Sequence, residues 1–460
     1  MREFDADPVL RYTEEVCGQI RSKRARPYIE RELADHIEDR KRSFTKEGIP
    51  EEEALQRAVS DMGDAVSVGQ ELDRIHRPKP EWSILFVTAV MLCMGAFAQH
   101  YLSVIAAEGD WAGKTAFYQY MAVMPLGIAA LLGIYFADYT VLGRYPKRIY
   151  AGILLLCGAL YLYNGQFFGF YGHNLNIRYQ MVYLALLLIP AYGAVLYSYR
   201  NSGYKGILKC GVAAVLAVFV FGYAGQEFIS VIFAMGGLVL ISAAVAKGWF
   251  GVKKKKKAFA LVYAPTLFSL LGFALIKQWR YGDQKNVFLD IIKSKIFIDP
   301  NTTDGFFISL VRGILKNAQF TGQGELGPMV KPGTAPEEIL PIWWGDFSLT
   351  YLIHQWGLIA GVLTLAVFIF LMVKMVRATL KQKNALGFMV SLSAVTAIGI
   401  QCLLFFSANL GICFLTILPL PLMTFGQTSF IVNMALLGLL LSAYRNIDIV
   451  RDMPIEIKNC

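Results

Sequence analysis

The chain has 460 residues, of which 55% are hydrophobic, 13% aromatic and 17% charged, and its mean hydropathy is +0.46. That is too apolar and too poor in charge for a water-soluble protein of this length, and it indicates an integral membrane protein. The formal charge of +10 is concentrated in short segments between apolar runs, a pattern that reports membrane orientation and argues against nucleic acid as a partner.

Residues 1–79 are polar and charged, so no cleavable signal peptide is expected, and they are predicted to form a small soluble helical domain. Tyr28, Ile29, Leu33, Ile37 and Phe44 recur at helical spacing. Pro50 followed by Glu51, Glu52 and Glu53 predicts a helix start, with acids at the positive end of the dipole. Leu55, Ala58, Val59 and Met62 give that helix an apolar face, and Gly63-Asp64 ends it. The run from His36 to His76 resembles the helical "permease prefix" module found ahead of some bacterial membrane proteins, over roughly residues 10–77. This resemblance implies a cytoplasmic docking or regulatory role. The seven cysteines are scattered through apolar runs without metal-ligand spacing and read as small buried hydrophobes.

After Trp82 the sequence predicts an all-α membrane domain over residues 80–446, with a tail at 447–460. Ten apolar segments are expected to cross the bilayer: 82–104, 117–138, 147–167, 179–198, 206–224, 227–246, 258–277, 347–373, 386–408 and 413–444. The last contains Pro419 and Pro421 and is expected to begin irregularly. Alternate loops carry Arg144, Lys147 and Arg148; Arg200 and Lys205; Lys247 and Lys253–Lys257; and Lys374, Arg377, Lys381 and Lys383. Arg445 follows the last segment. By the positive-inside rule these sites and both termini are expected to be cytoplasmic. The five consecutive lysines are read as facing anionic headgroups of membrane lipids rather than nucleic acid.

The remaining long connection, residues 278–346, is then expected outside, and a loop of this length in a compact domain suggests function. Within it Phe306, Phe307, Leu310, Ile314 and Leu315 suggest an amphipathic helix at the membrane interface. Gly322, Gly324, Gly327, Pro328, Pro332, Gly333, Pro336 and Pro341 then forbid regular structure up to Asp346, which abuts the next apolar segment. On position alone Asp346 also reads as an ordinary acid at a helix N-terminus. Arg280 and Lys316 of this loop, and Arg178 before it, suit a phosphate-bearing lipid, and each also reads as an interfacial cation.

Asp299-Pro300, the stretch from Gly305 to Gly327, Leu340-Pro341, Gly345-Asp346-Phe347 and Gly357 resemble the large extracytoplasmic loop and following helix of the SEDS family, the FtsW/RodA/SpoVE proteins. More specific is the C-terminal run: Ala408-Asn409-Leu410-Gly411, then a Pro-Leu-Pro turn at 419–421, a kink around Gly426 and Ser429, and Val432-Asn433-Met434 entering a Leu-rich helix. The resemblance covers about residues 280–445 well and the earlier helices by number and orientation. It implies a bacterial cytoplasmic membrane protein that polymerises peptidoglycan glycan strands from lipid II during division, elongation or sporulation, with a class B penicillin-binding protein as partner. It also implies that Asp346, matching the family's Asp-Phe aspartate, is catalytic. In such chemistry a carboxylate acts as general base, while cations or a divalent metal such as Mg or Mn offset charge on the leaving diphosphate.

The chain departs from the family pattern in several places. Gly345 stands where Thr or Asn is common, His354-Gln355 where an acidic pair is expected, and the kink reads Thr424 to Ser429. The family's Pro-Ser-Glu and downstream Lys are missing from the fourth span. Two other readings therefore compete: a non-catalytic scaffold for a division or sporulation complex, and a transporter of lipid-linked precursor. A transporter favours ionisable groups at mid-membrane, and this chain has few.

Overall fold

A computed structural model describes residues 7–23, 25–106, 110–161, 175–223, 227–281, 303–327, 330–331, 333–412, 418–424 and 426–450. Among these the regular structure is entirely helical, and the chain divides into two units. One unit contains the N-terminal residues through Pro80 together with the described residues from Tyr444 to Val450, and the other contains Glu81–Ala443.

The first unit holds α1 (Pro8–Gly18), α2 (Arg26–Lys46), α3 (Glu51–Asp61) and α4 (Ala65–Ile75). The expected delimiters operate physically: Pro50 precedes α3 with three glutamates in its first turn, and Gly63 takes a φ of +84°. The Asp64 side chain then caps α4 by accepting from Ser67 N at 2.9 Å. Val16, Ile20, Ile29, Leu33 and Ile37 make the core, and Ile449 joins it at 3% exposure, with Val450 packed alongside. The segment set apart as a tail thus supplies part of the core of the N-terminal unit. Two polar ties hold it there: Lys79 Nζ pairs with Asp448 Oδ2 at 2.7 Å, and His76 Nδ1 lies 2.6 Å from the Asp448 carbonyl.

The second unit contains α5 (Trp82–Ile105), α6 (Trp111–Phe136), the short α7 (Thr140–Arg144), α8 (Pro146–Tyr161), α9 (Leu175–Ser198), α10 (Gly203–Tyr223), α11 (Glu227–Ala246) and α12 (Lys255–Tyr281). The loop carries α13 (Thr303–Lys316) and α14 (Pro336–Ile339). After it come α15 (Ser348–Trp356), α16 (Leu358–Leu380), α17 (Ala385–Asn409) and α18 (Gln427–Arg445). Each of the ten apolar segments is helical over part or all of its length, and eight of these helices are long and apolar enough among the described residues to cross a membrane. Of the other two, α8 is described over 16 residues, and α12 begins in the lysine run. Helix α9 packs against α8, α11 and α17, and the segment Met181–Ser198 is largely buried.

Two expectations are corrected. The segment 347–373 is not one helix: α15 ends at Trp356 and α16 starts at Leu358, with Gly357 between them at a φ of +87°. A Cβ on Gly357 would lie 2.5 Å from the Phe320 carbonyl oxygen, so only glycine lets the loop pass this closely. Nor does α13 rest its apolar face on lipid. Leu310, Val311 and Ile314 are buried against Ala98 and Leu102 of α5 and Phe347, Tyr351 and Leu352 around α15. The last apolar segment starts irregularly, as expected, and α18 begins at Gln427.

Because Ile449 fills the core of the N-terminal unit, Ile449→Ala should cost that unit about 2–5 kcal/mol. Hydrogen exchange on the intact protein should show α1 and α2 opening more often in the variant. Unchanged protection of both helices would mean that the tail is not part of this core.

Candidate active site

The polypeptide reaches Asp346 through a tight turn. Ile342 takes a φ of +49°, its carbonyl accepts from Gly345 N at 2.9 Å, and Ser348 Oγ caps the Gly345 carbonyl at 2.7 Å. Three distant side chains fix this turn. Gln99 of α5 donates to the Trp344 carbonyl at 3.3 Å. Trp343 donates its indole N–H to Asp110 Oδ2 at 3.2 Å, while Asp110 Oδ1 caps α6 through Gly113 N. Asn409, at the end of α17 and fully buried, donates to the Asp346 carbonyl at 2.8 Å and accepts from both N and Oγ1 of Thr350 at 3.0 Å.

The Asp346 backbone is thus locked while its side chain is left without a hydrogen bond or ion pair among the described residues. The carboxyl is packed deep enough for burial to push its pKa up to about 7, while the residue keeps some open surface. A group with these properties holds or releases a proton near neutral pH. The aromatic and aliphatic layer beneath it contains Trp343, Phe347, Tyr351 and Leu352, with Phe307 6.1 Å from Phe347 between ring centroids. A void of about 10 Å³ between α5, α15 and the Pro-Leu-Pro turn has room for about one water and none for a sugar.

The loop is pinned to the far end of α15 as well. Gly322 N donates to the Trp356 carbonyl at 3.2 Å, and Gly324 N donates to the His354 carbonyl at 2.8 Å. Arg312 of α13 donates from Nε to the Gly411 carbonyl at 2.7 Å, tying the loop helix to the end of α17. Pro341 opens the turn before Asp346. Pro421 is buried in the turn before α18, where Tyr120 donates to the Leu422 carbonyl at 2.6 Å. Gly426 packs against Pro419, and Ser429 accepts from Asn433, which exchanges amide hydrogen bonds with Gln401.

Of the cations named from sequence, Lys316 is exposed in the last turn of α13 and forms no ion pair among the described residues. Arg178 and Arg280 fall in α9 and α12, but their side chains lie outside the described residues. Among the described residues, no three His, Cys, Asp or Glu side chains converge where a metal ion would sit. Sequence reasoning missed Gln99, Asp110 and Arg312 as supports of the site, and it took Asn409 only as part of a motif.

Comparison with known proteins places this architecture. The FtsW/RodA/SpoVE family, described as "Cell cycle protein", matches residues 81–448. The chain belongs to this family, the SEDS proteins. A probable peptidoglycan glycosyltransferase FtsW of Enterococcus hirae is 24% identical over 213 residues, 45% of this chain and 52% of that protein, so the match spans about half of the relative's length. A solved structure described as "Structural coordination of polymerization and crosslinking by a peptidoglycan synthase complex" superposes with a TM-score of 0.56 at 16% identity, covering 80% of this chain and 98% of that one. The rod shape determining protein RodA of Thermus thermophilus gives 0.45 at 15% identity, covering 80% and 97%. The first of these shows the shared fold.

Proposed function

We propose that this protein polymerises peptidoglycan glycan strands from lipid II, with Asp346 as general base. The carrying observation is the state of Asp346: its backbone is held by Asn409, its carboxyl has no counter-charge among the described residues, and burial pushes its pKa up to about 7. In the step envisaged, the acceptor hydroxyl gives its proton to the Asp346 carboxylate as its oxygen bonds to the donor's anomeric carbon. The sugar–phosphate bond breaks at the same time, and its electron pair leaves on the lipid diphosphate. The relative named as a probable peptidoglycan glycosyltransferase supports the reaction class. Arg280 and Arg178 are the proposed diphosphate contacts, with Lys316 as a weaker third. No step is assigned to a metal.

The likeness to a chain from a peptidoglycan synthase complex supports a class B penicillin-binding protein as partner. The loop-charge pattern supports a bacterial cytoplasmic membrane location, with both termini inside and residues 278–346 outside. Impermeant thiol labelling of Gly333→Cys in intact cells should succeed and that of Lys255→Cys should fail; the reverse would overturn the orientation.

Asp346→Asn keeps size and hydrogen-bonding reach but cannot accept a proton at neutral pH. Glycan-strand formation from lipid II should fall by about 10²–10⁴-fold in this variant. Glu338→Gln, an exposed acid in the same loop, should stay close to wild type. Undiminished polymerisation by Asp346→Asn would remove this aspartate from the mechanism. A wild type that is inert with its partner present would favour the scaffold reading, to which the departures at Gly345 and His354-Gln355 already lend weight.

A further inference from the structure

The end of the membrane unit where α9 joins α10 and α11 joins α12 carries a concentration of cations. Lys147 and Arg148 stand in α8, Lys205 and Lys209 in α10, and Lys253–Lys257 lead into α12. Backbone bonds make the two connections one surface: Asn201 N donates to the Trp249 carbonyl at 2.8 Å and Gly203 N to the Phe250 carbonyl at 3.0 Å. Acids hardly occur in this part of the sequence. Between Asp138 and Asp283 there is one, Glu227, which starts α11 and therefore stands at its opposite end. The 20 residues of that helix put it about 30 Å away. Residues 347–447 hold none, and the Asp138 carboxylate accepts from Thr140 N at 3.0 Å at the start of α7.

The fold brings two of these cations together. Lys147 Nζ lies 4.9 Å and Lys209 Nζ 5.7 Å from the centre of the Tyr199 ring. Buried bonds just behind them fix the approach. Tyr150, one turn along α8 from Lys147, donates at 2.7 Å to the carbonyl of Ala213, one turn along α10 from Lys209. Tyr192 of α9 donates to the Cys210 carbonyl at 3.2 Å. Both lysines are exposed, and neither forms an ion pair among the described residues. A tyrosine ring attracts a cation but leaves its charge whole, so the two ammonium groups repel each other. Lys147 also stands in the first turn of α8, where the helix dipole disfavours a cation. An anion between the lysines removes both penalties, and a phosphate has the acceptor oxygens to reach both. The positive-inside rule asks only for a number of basic residues on one side, not for their convergence on one ring.

We propose that Lys147, Lys209 and Tyr199 form a phosphate-binding site, and that its occupant is the phosphodiester headgroup of an anionic membrane phospholipid. The surroundings point to a lipid as the source. Val212 and Leu216 continue the helix face of Lys209 along α10, which is long and apolar enough to cross a membrane, and both are exposed. A headgroup at the lysines thus has its acyl chains beside apolar side chains. The site lies apart from Asp346, and the inference does not rest on the function proposed above.

The test uses the full-length protein in detergent micelles, with binding of phosphatidylglycerol and of zwitterionic phosphatidylcholine followed by native mass spectrometry. The wild type should bind phosphatidylglycerol about tenfold more tightly. Lys147→Gln/Lys209→Gln should remove that preference while keeping the wild-type melting temperature in detergent alone, and Lys147→Arg/Lys209→Arg should retain it. Lys374→Gln/Arg377→Gln takes the same charge from α16, outside the site, and should also retain it. Equal binding of the two lipids by the wild type, or an equal loss in the α16 variant, overturns the site; in the second case the overall charge of the protein is what attracts the lipid. Inorganic phosphate and chloride at equal ionic strength then compete against bound phosphatidylglycerol. Phosphate should displace no more lipid than chloride does. Stronger displacement by phosphate overturns the lipid assignment, because the site then takes a free phosphate.

Discussion

The proposed chemistry needs a carboxylate kept buried, uncompensated and correctly aimed at the edge of a membrane domain. Asn409 meets the aiming requirement. It bonds the Asp346 carbonyl on one side and the first turn of α15 on the other, through Thr350 N and Oγ1. All these polar groups are fully or partly buried, and each would cost about 1–3 kcal/mol if left unpaired. The turn therefore cannot relax to bring a cation or a donor to the carboxyl without breaking this set. Gln99 and Asp110 hold the preceding tryptophans in the same way, from two different helices. The carboxyl is left without a hydrogen bond among the described residues, beside a backbone whose own polar groups are held.

The same constraint explains the shape of the loop. Its amphipathic helix has to be buried under α15, since Leu310, Val311 and Ile314 form the floor on which Phe347 and Tyr351 rest. Its glycines let the backbone run close to the end of α15, where Gly322 and Gly324 donate to carbonyls left open at the helix C-terminus. Gly357 permits the closest approach, and with it the break between α15 and α16. That break separates a short helix belonging to the site from a long one belonging to the membrane.

Much of this was legible in the sequence because it rests on local pattern. Apolar runs located ten segments that are helical over part or all of their length, Pro50 and Gly63 marked the N-terminal helix ends, and the Gly/Pro run announced an irregular loop ending at Asp346. What escaped depends on pairings between remote residues. Nothing near Gln99 or Asp110 signals a partner at Trp344 or Trp343, more than 230 positions away. Ile449 reads as part of a short polar tail, and only its burial beside Ile29 and Leu33 shows it to be core. The apolar stripe of α13 has the same periodicity whether it faces lipid or protein. Gly357 was visible, but a lone glycine in an apolar run is also compatible with an unbroken helix, and its φ of +87° is set by the Phe320 backbone passing beside it.

In the proposed mechanism Asp346 works as a base because the fold raises its proton affinity. A carboxylate base is active only when ionised, so a group shifted up to about 7 loses activity as pH falls through that value. The most direct test is the pH dependence of kcat/KM for glycan-strand formation from lipid II by the wild-type protein with its partner, between about pH 5 and 9. The rate should climb with pH along an acid limb whose midpoint lies near 7. A rate flat down to about pH 5, as an ordinary carboxylate would give, would contradict the account.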